Sequence, residues 1–176
     1  MSENPTPATP DDLLEALDRD GIDHLWVTYL DMAGKPSAKT IPRSGFRSAV
    51  RSGVVFAKAN FDLDTRDHMA DAATLGADTG DMMAVPDPRS YVTLPRYPGT
   101  ARVHTWLRNP DGSPWLGCPR TRLQEQVDAL AAEGYTVQAA LEPEFYLLTK
   151  DEFGNYHPAD GVRSFGEAGL ATQHEF

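Results

Sequence analysis

The feature that most restricts the fold is a succession of short runs rich in aromatic and β-branched residues, each closed by turn-forming residues. Residues 24–31 read His-Leu-Trp-Val-Thr-Tyr-Leu-Asp, residues 32–35 supply a turn around Gly34, and residues 37–41 return, which predicts a β-hairpin. Residues 54–57 form the next strand-like run, and 82–85 and 91–94 flank a Pro-Asp-Pro-Arg-Ser turn at 86–90. Residues 101–107 alternate in polarity, which sets His104 on the face opposite Val103, Thr105 and Leu107 and gives it a structural or exposed role. Two helices interrupt the strands. Thr9-Pro10-Asp11-Asp12 combines an N-cap, a proline at the first helical position and an acid three residues after the cap, ahead of Leu13, Leu14 and Leu17. Residues 44–51 make a second helix burying Phe46 and Val50, stopped by Gly53. A hairpin, a crossing helix and further strands specify an α+β unit.

A third helix starts at Cys118-Pro119, with Leu123, Val127, Leu130 and Ala131 at helical spacing and Gly134 as its stop, and its apolar stripe is expected to pack on a sheet. A strand is expected over 135–149. Its centre, Leu141-Glu142-Pro143-Glu144-Phe145-Tyr146-Leu147-Leu148, puts Glu142, Glu144 and Tyr146 on one face and Leu141, Phe145 and Leu147 on the other. Like charges side by side are unfavourable in a sheet, and a hard divalent cation such as Mg²⁺ or Mn²⁺, which takes oxygen ligands, would compensate them. Pro143 lacks an N–H and marks an edge or bulge. Residues 151–155 turn the chain, and neither His157 nor His174 has a spacing that assigns it to a site.

The intervening stretch 62–81 is polar, with Asp62, Asp64, Asp67, Asp71 and Asp78 but few apolar anchors, and reads as a long loop, of a length that in a compact domain is usually functional or disordered. It lacks the ligand order of an EF-hand, and His68 beside these acids is expected to be solvated. With 26 acidic and 16 basic residues the chain carries a formal charge of −10, which disfavours a nucleic-acid groove and attachment to anionic membrane. Its single cysteine, Cys118, forms no internal disulfide and is expected to be a small, partly buried structural residue; with an N-terminus unlike a signal peptide, the expected compartment is the cytoplasm.

Three segments together resemble the glutamine synthetase family: the Glu142-x-Glu144-Phe145 run after a short helix, Asp81-Met82 followed by Pro86-Asp87, and Phe61-Asp62. The resemblance runs from about residue 20 onward and marks the chain as the N-terminal portion of a longer enzyme. It implies a tail and short helix over 1–19, a β-grasp domain over 20–108 and the beginning of a catalytic α+β domain over 109–176. It also implies ATP and Mg²⁺ or Mn²⁺ as cofactors, with Glu142 and Glu144 each helping to hold one of two divalent ions. The substrates would be glutamate and an amine, joined through a γ-glutamyl phosphate in a homo-oligomer whose active sites are shared between subunits. Asp62 would reach the neighbouring subunit's site, bind the ammonium and take a proton from it. The family's usual Gly-Ser-Ser after Phe-Asp is here Leu63-Asp64-Thr65, which makes Asp64 the alternative position and opens the choice of amine to bulkier ones, polyamines included. The fragment alone is expected to be inactive. The other reading is a non-catalytic assembly module that docks on full-length subunits.

Overall fold

The computed structural model describes residues 5–64, 66–71, 73–76 and 78–159, which fall into two compact units, 1–136 and 137–176. In the first unit, helix α1 (Pro10–Arg19) begins as its sequence requires: the Thr9 hydroxyl accepts the Asp12 N–H while the Asp12 carboxylate accepts the Thr9 N–H, and Pro10 occupies the first turn. Strands β1 (His24–Leu30) and β2 (Pro36–Pro42) form the hairpin. Its turn is fastened by the Asp31 carboxylate, which accepts the N–H groups of Ala33 and Lys35, and Gly34 takes a positive φ of 77°. Helix α2 (Phe46–Ser52) crosses to β3 (Val54–Ala57), followed by β4 (Asp81–Pro86), the short β5 (Val92–Thr93) and β6 (Thr100–Arg108).

The strands make one sheet in the order β2-β1-β6-β4-β3, with β5 also on β6. All pairs are antiparallel except β1 with β6, where Val27 lies beside Val103 and Thr28 beside His104. A mixed sheet whose first strand runs parallel to its last, crossed by a helix, is the expected β-grasp arrangement. The two edge strands approach each other, for Lys39 on β2 donates to the Val55 carbonyl on β3 at 2.6 Å and lies over the Phe56 ring. One sheet face holds the core: Leu13 and Leu17 of α1, Phe46 and Val50 of α2, Leu25, Val27, Met82, Val103 and Leu107. Each such side chain contributes about 1.5–3 kcal/mol by leaving water. His104 points the other way, as the alternation requires.

Two expectations fail beyond β6. Helix α3 (Pro119–Ala132) forms where predicted and ends before Gly134, which has a φ of 86°, but no residue of it is buried, and Leu123 is 65% exposed. The apolar stripe is not buried on the sheet among the described residues. Nor is the strand over 135–149 formed: residues 135–147 have no regular structure, and only β7 (Leu148–Lys150) pairs, with β8 (Tyr156–Pro158), in the second unit. A strand exists only by hydrogen bonding to neighbours; among the described residues, 135–147 belong to no sheet, and the Leu147 carbonyl accepts the Ala159 N–H at 2.9 Å just beyond the β7–β8 pair. The Asp151 turn forms as expected, its carboxylate accepting the N–H groups of Phe153 and Asn155. His174 lies outside the described residues. Among the described residues no helix is long and apolar enough to cross a membrane.

Candidate functional site

Asp62 closes a 3-10 turn (Lys58–Asp62) that follows β3. Phe61 fixes the position of that turn. Its ring stacks on Tyr29 of β1 with centroids 5.5 Å apart and meets Trp115 edge-on at 4.7 Å, while Phe56 of β3 meets Tyr29 edge-on at 4.9 Å. Asn60 donates to the Tyr29 hydroxyl at 3.2 Å. The polar residue that follows Phe61 is therefore held at the surface by an aromatic group drawn from four parts of the chain.

The Asp62 carboxylate is itself engaged: Oδ2 accepts the N–H groups of Thr74 and Leu75 and, at 3.3 Å, the Thr74 hydroxyl. The Leu75 and Thr74 amides hold its carboxyl below the usual aspartate range. Asp64 is used differently. Its Oδ1 accepts the N–H groups of Arg66 at 2.7 Å and His68 at 3.0 Å, so this alternative candidate folds its own turn, with the His68 and Arg66 amides holding its carboxyl low. His68 is exposed, as expected. Lys35 pairs with Asp67 and so ties the β1–β2 turn to this loop.

Glu142 and Glu144 lie in the second unit, exposed and outside any strand. Their oxygens are the right chemistry for a hard divalent ion, but among the described residues no group of three or more acidic, histidine or cysteine side chains is placed to enclose one. Two carboxylates begin such a site without completing it. In the same unit the Asp151 carboxylate also takes His157 Nε2 at 3.0 Å and Asn155 Nδ2 at 3.0 Å, giving His157 a local structural partner.

Sequence reading placed Asp87 in a turn and in the family-like Pro-Asp segment but missed its ion pairs. This aspartate is buried, caps a 3-10 turn (Pro88–Ser90), and its carboxylate meets Arg120 at 2.6 Å and Arg89 at 3.3 Å. Burial pushes its carboxyl up, but the hydrogen bonds from Arg89 and Arg120 outweigh this and leave it below the usual range. The Arg120 guanidinium also lies 4.0 Å over the Trp106 ring. Arg120 stands in the first turn of α3, where a cation opposes the helix dipole, and Asp87 offsets that cost. A groove of about 380 Å³ opens here, lined by Asp87, Arg89, Ser90, Trp106, Arg120 and Leu123. The sequence signal was the turn chemistry of Pro-Asp-Pro; the partner 33 positions away had none. Nearby, the Thr28 hydroxyl donates to the Val103 carbonyl at 2.9 Å and lies 3.1 Å from His104 Nδ1. Burial, with Arg102 and Arg120, lowers the His104 pKa, a structural histidine as its strand face implied. Cys118 is fully buried.

The family model described as the glutamine synthetase N-terminal domain matches residues 12–115, and the one described as the glutamine synthetase catalytic domain matches residues 116–174. The chain belongs to the glutamine synthetase family. It is 30% identical over 125 residues to a glutamine synthetase of Pyrococcus woesei, a match covering 71% of this chain and 26% of that protein. It is 29% identical over 156 residues to a glutamate–methylamine ligase of Methyloversatilis universalis, covering 86% of this chain and 32% of the relative. A crystal structure described as a novel glutamine synthase homolog superposes with a TM-score of 0.57 at 26% identity, covering 64% of this chain and 27% of that one. The chain thus spans roughly a quarter to a third of the length of these glutamine synthetase relatives. The boundary between the two family models, at 115/116, falls just before the helix whose first turn Asp87 holds.

Proposed function

We propose that this chain is the N-terminal portion of an ATP-dependent ligase that joins an amine to the γ-carboxylate of glutamate. The observation that carries the reading is the unbroken succession of the two family models across residues 12–174, the second of which contains Glu142 and Glu144. ATP would phosphorylate the glutamate side chain to a γ-glutamyl phosphate. The amine nitrogen then attacks the acyl carbon, phosphate leaves, and the nitrogen loses a proton. Glu142 and Glu144 would supply oxygen ligands toward divalent ions, and such ions would contribute positive charge near the phosphoryl group. Asp62, held at the surface by the Phe61 aromatic group, offers a carboxylate to the positively charged amine in a site shared between subunits of a homo-oligomer. Because hydrogen bonds from the Leu75 and Thr74 amides hold its carboxyl below the usual range, cation binding suits it better than proton uptake.

Two relatives frame the substrate choice. One is named for glutamine synthesis and the other for ligation of methylamine, so ammonia and small alkylamines head the panel, ahead of polyamines. Residues 20–108 would then be the domain that carries Asp62 and residues 109–176 the beginning of the catalytic domain. The test is phosphate release by the complete protein given glutamate, ATP, Mg²⁺ and each amine. Amine-dependent release that Glu144→Ala abolishes supports the reading, and release unchanged by Glu144→Ala sinks the ligand assignment.

A further inference from the structure

Asp62 is tied into its loop through one carboxylate oxygen and through its main chain. Oδ2 takes three donors, the N–H groups of Thr74 and Leu75 and the Thr74 hydroxyl, and the Asp62 carbonyl accepts the Ala70 N–H at 2.8 Å. Among the described residues no hydrogen bond falls on Oδ1. A carboxylate has about four lone-pair directions, so three donors on one oxygen leave little there for a ligand. They also stop the side chain from rotating to exchange its oxygens, because the rotation would break all three bonds together.

We infer that Thr74, with the Leu75 amide beside it, is a positioning element of the amine site: it saturates Oδ2 and presents Oδ1 alone to the ammonium N–H of the amine. The inference rests on the reading of Asp62 as the amine-binding carboxylate. The contact is a charge-assisted hydrogen bond from nitrogen to Oδ1, and no bond to carbon or proton transfer is part of it. A one-oxygen anchor requires one N–H from its ligand. Ammonium and primary alkylammonium ions both supply it, so the anchor itself does not exclude a methyl group. Thr74 reaches the amine only through Asp62, which makes it a positioning residue and not a catalytic one.

The experiment is steady-state kinetics of the complete protein with methylamine varied at saturating glutamate, ATP and Mg²⁺, and then with glutamate and ATP varied in turn. Four proteins are compared: unsubstituted, Thr74→Val, Thr74→Ser and Asp62→Asn. Thr74→Val removes the hydroxyl at nearly constant shape and is expected to raise the KM for methylamine about two- to tenfold, the range of one hydrogen bond. KM for glutamate and ATP should stay near their unsubstituted values, and Thr74→Ser, which keeps the hydroxyl, should restore the methylamine KM. An unchanged methylamine KM in Thr74→Val, or equal rises in all three KM values, overturns the positioning role. Asp62→Asn separates the two levels. If it leaves the response to methylamine unaltered, or if the unsubstituted protein shows no amine-dependent turnover, the reading of the site fails and the inference with it. If Asp62→Asn raises the methylamine KM and Thr74→Val does not, only the role of Thr74 fails.

Discussion

Strand β6 and the segment around Glu142 carry similar sequence patterns and reach opposite outcomes. Both alternate apolar with polar residues, and both contain aromatic side chains. β6 is bordered by β1, β4 and β5, and Ala101, Val103 and Leu107 are buried. In residues 141–147 Leu141 is 95% exposed and no strand forms. Alternation states which face of a strand would be apolar; hydrogen-bonding neighbours decide whether the strand exists. The same contrast separates the candidate site residues: Asp62 is already set by its surroundings, whereas Glu142 and Glu144 carry oxygen donors without a built geometry.

The largest effect that would test this contrast is near the C-terminal end of β6, at a fully buried position. Leu107→Ala removes a fully buried side chain and is expected to destabilise the first unit by about 2–5 kcal/mol, read from the urea midpoint. Leu141→Ala in this same chain should change the midpoint by no more than about 0.5 kcal/mol, and a loss as large as that of Leu107→Ala would mean the two segments do not differ as described. Next in size is Asp87→Ala, which leaves Arg120 and Arg89 without their carboxylate. It should cost about 1.5–3 kcal/mol, the range for hydrogen bonds to charged groups, and an unaltered midpoint would remove Asp87 from the architecture of α3.

The Asp87 pair also fixes the sign of a pH effect. Its carboxyl titrates lower in the folded than in the unfolded chain, so its contribution is complete above the ordinary aspartate value near 4 and is lost as pH falls toward the folded value. Comparing unsubstituted protein with Asp87→Asn between pH 6 and about pH 2 should show the stability difference shrinking with acid. A difference constant across that range would contradict the ion pair. A smaller effect is expected from His104, whose folded pKa is lowered by burial. Protonation of the unfolded chain below about pH 6.5 draws stability away as pH falls, and His104→Gln should flatten that part of the profile.

Much of the first unit was legible in order along the chain. The Thr9 capping box, the Gly34 turn, the Phe46 and Val50 helix face and the inward set of β6 are local features, and each depends on residues within a few positions of one another. The site was legible in part. The Phe-Asp segment and the Glu-x-Glu run could be picked out as chemistry, but not the three donors that close on Asp62 Oδ2 from 12 and 13 positions away, nor the Arg120 bond to Asp87.

The sequence by itself determined element types, the faces of helices and strands, the acidic charge and the family resemblance, because propensity, capping and periodicity act over a few residues. Only the tertiary structure decided which carboxylates are held and which are open. That depends on amides and guanidinium groups brought together from distant positions, and on whether a strand meets a neighbour to bond with. Asp62 and Asp87 meet theirs within residues 1–136, and residues 141–147 join no sheet among the described residues.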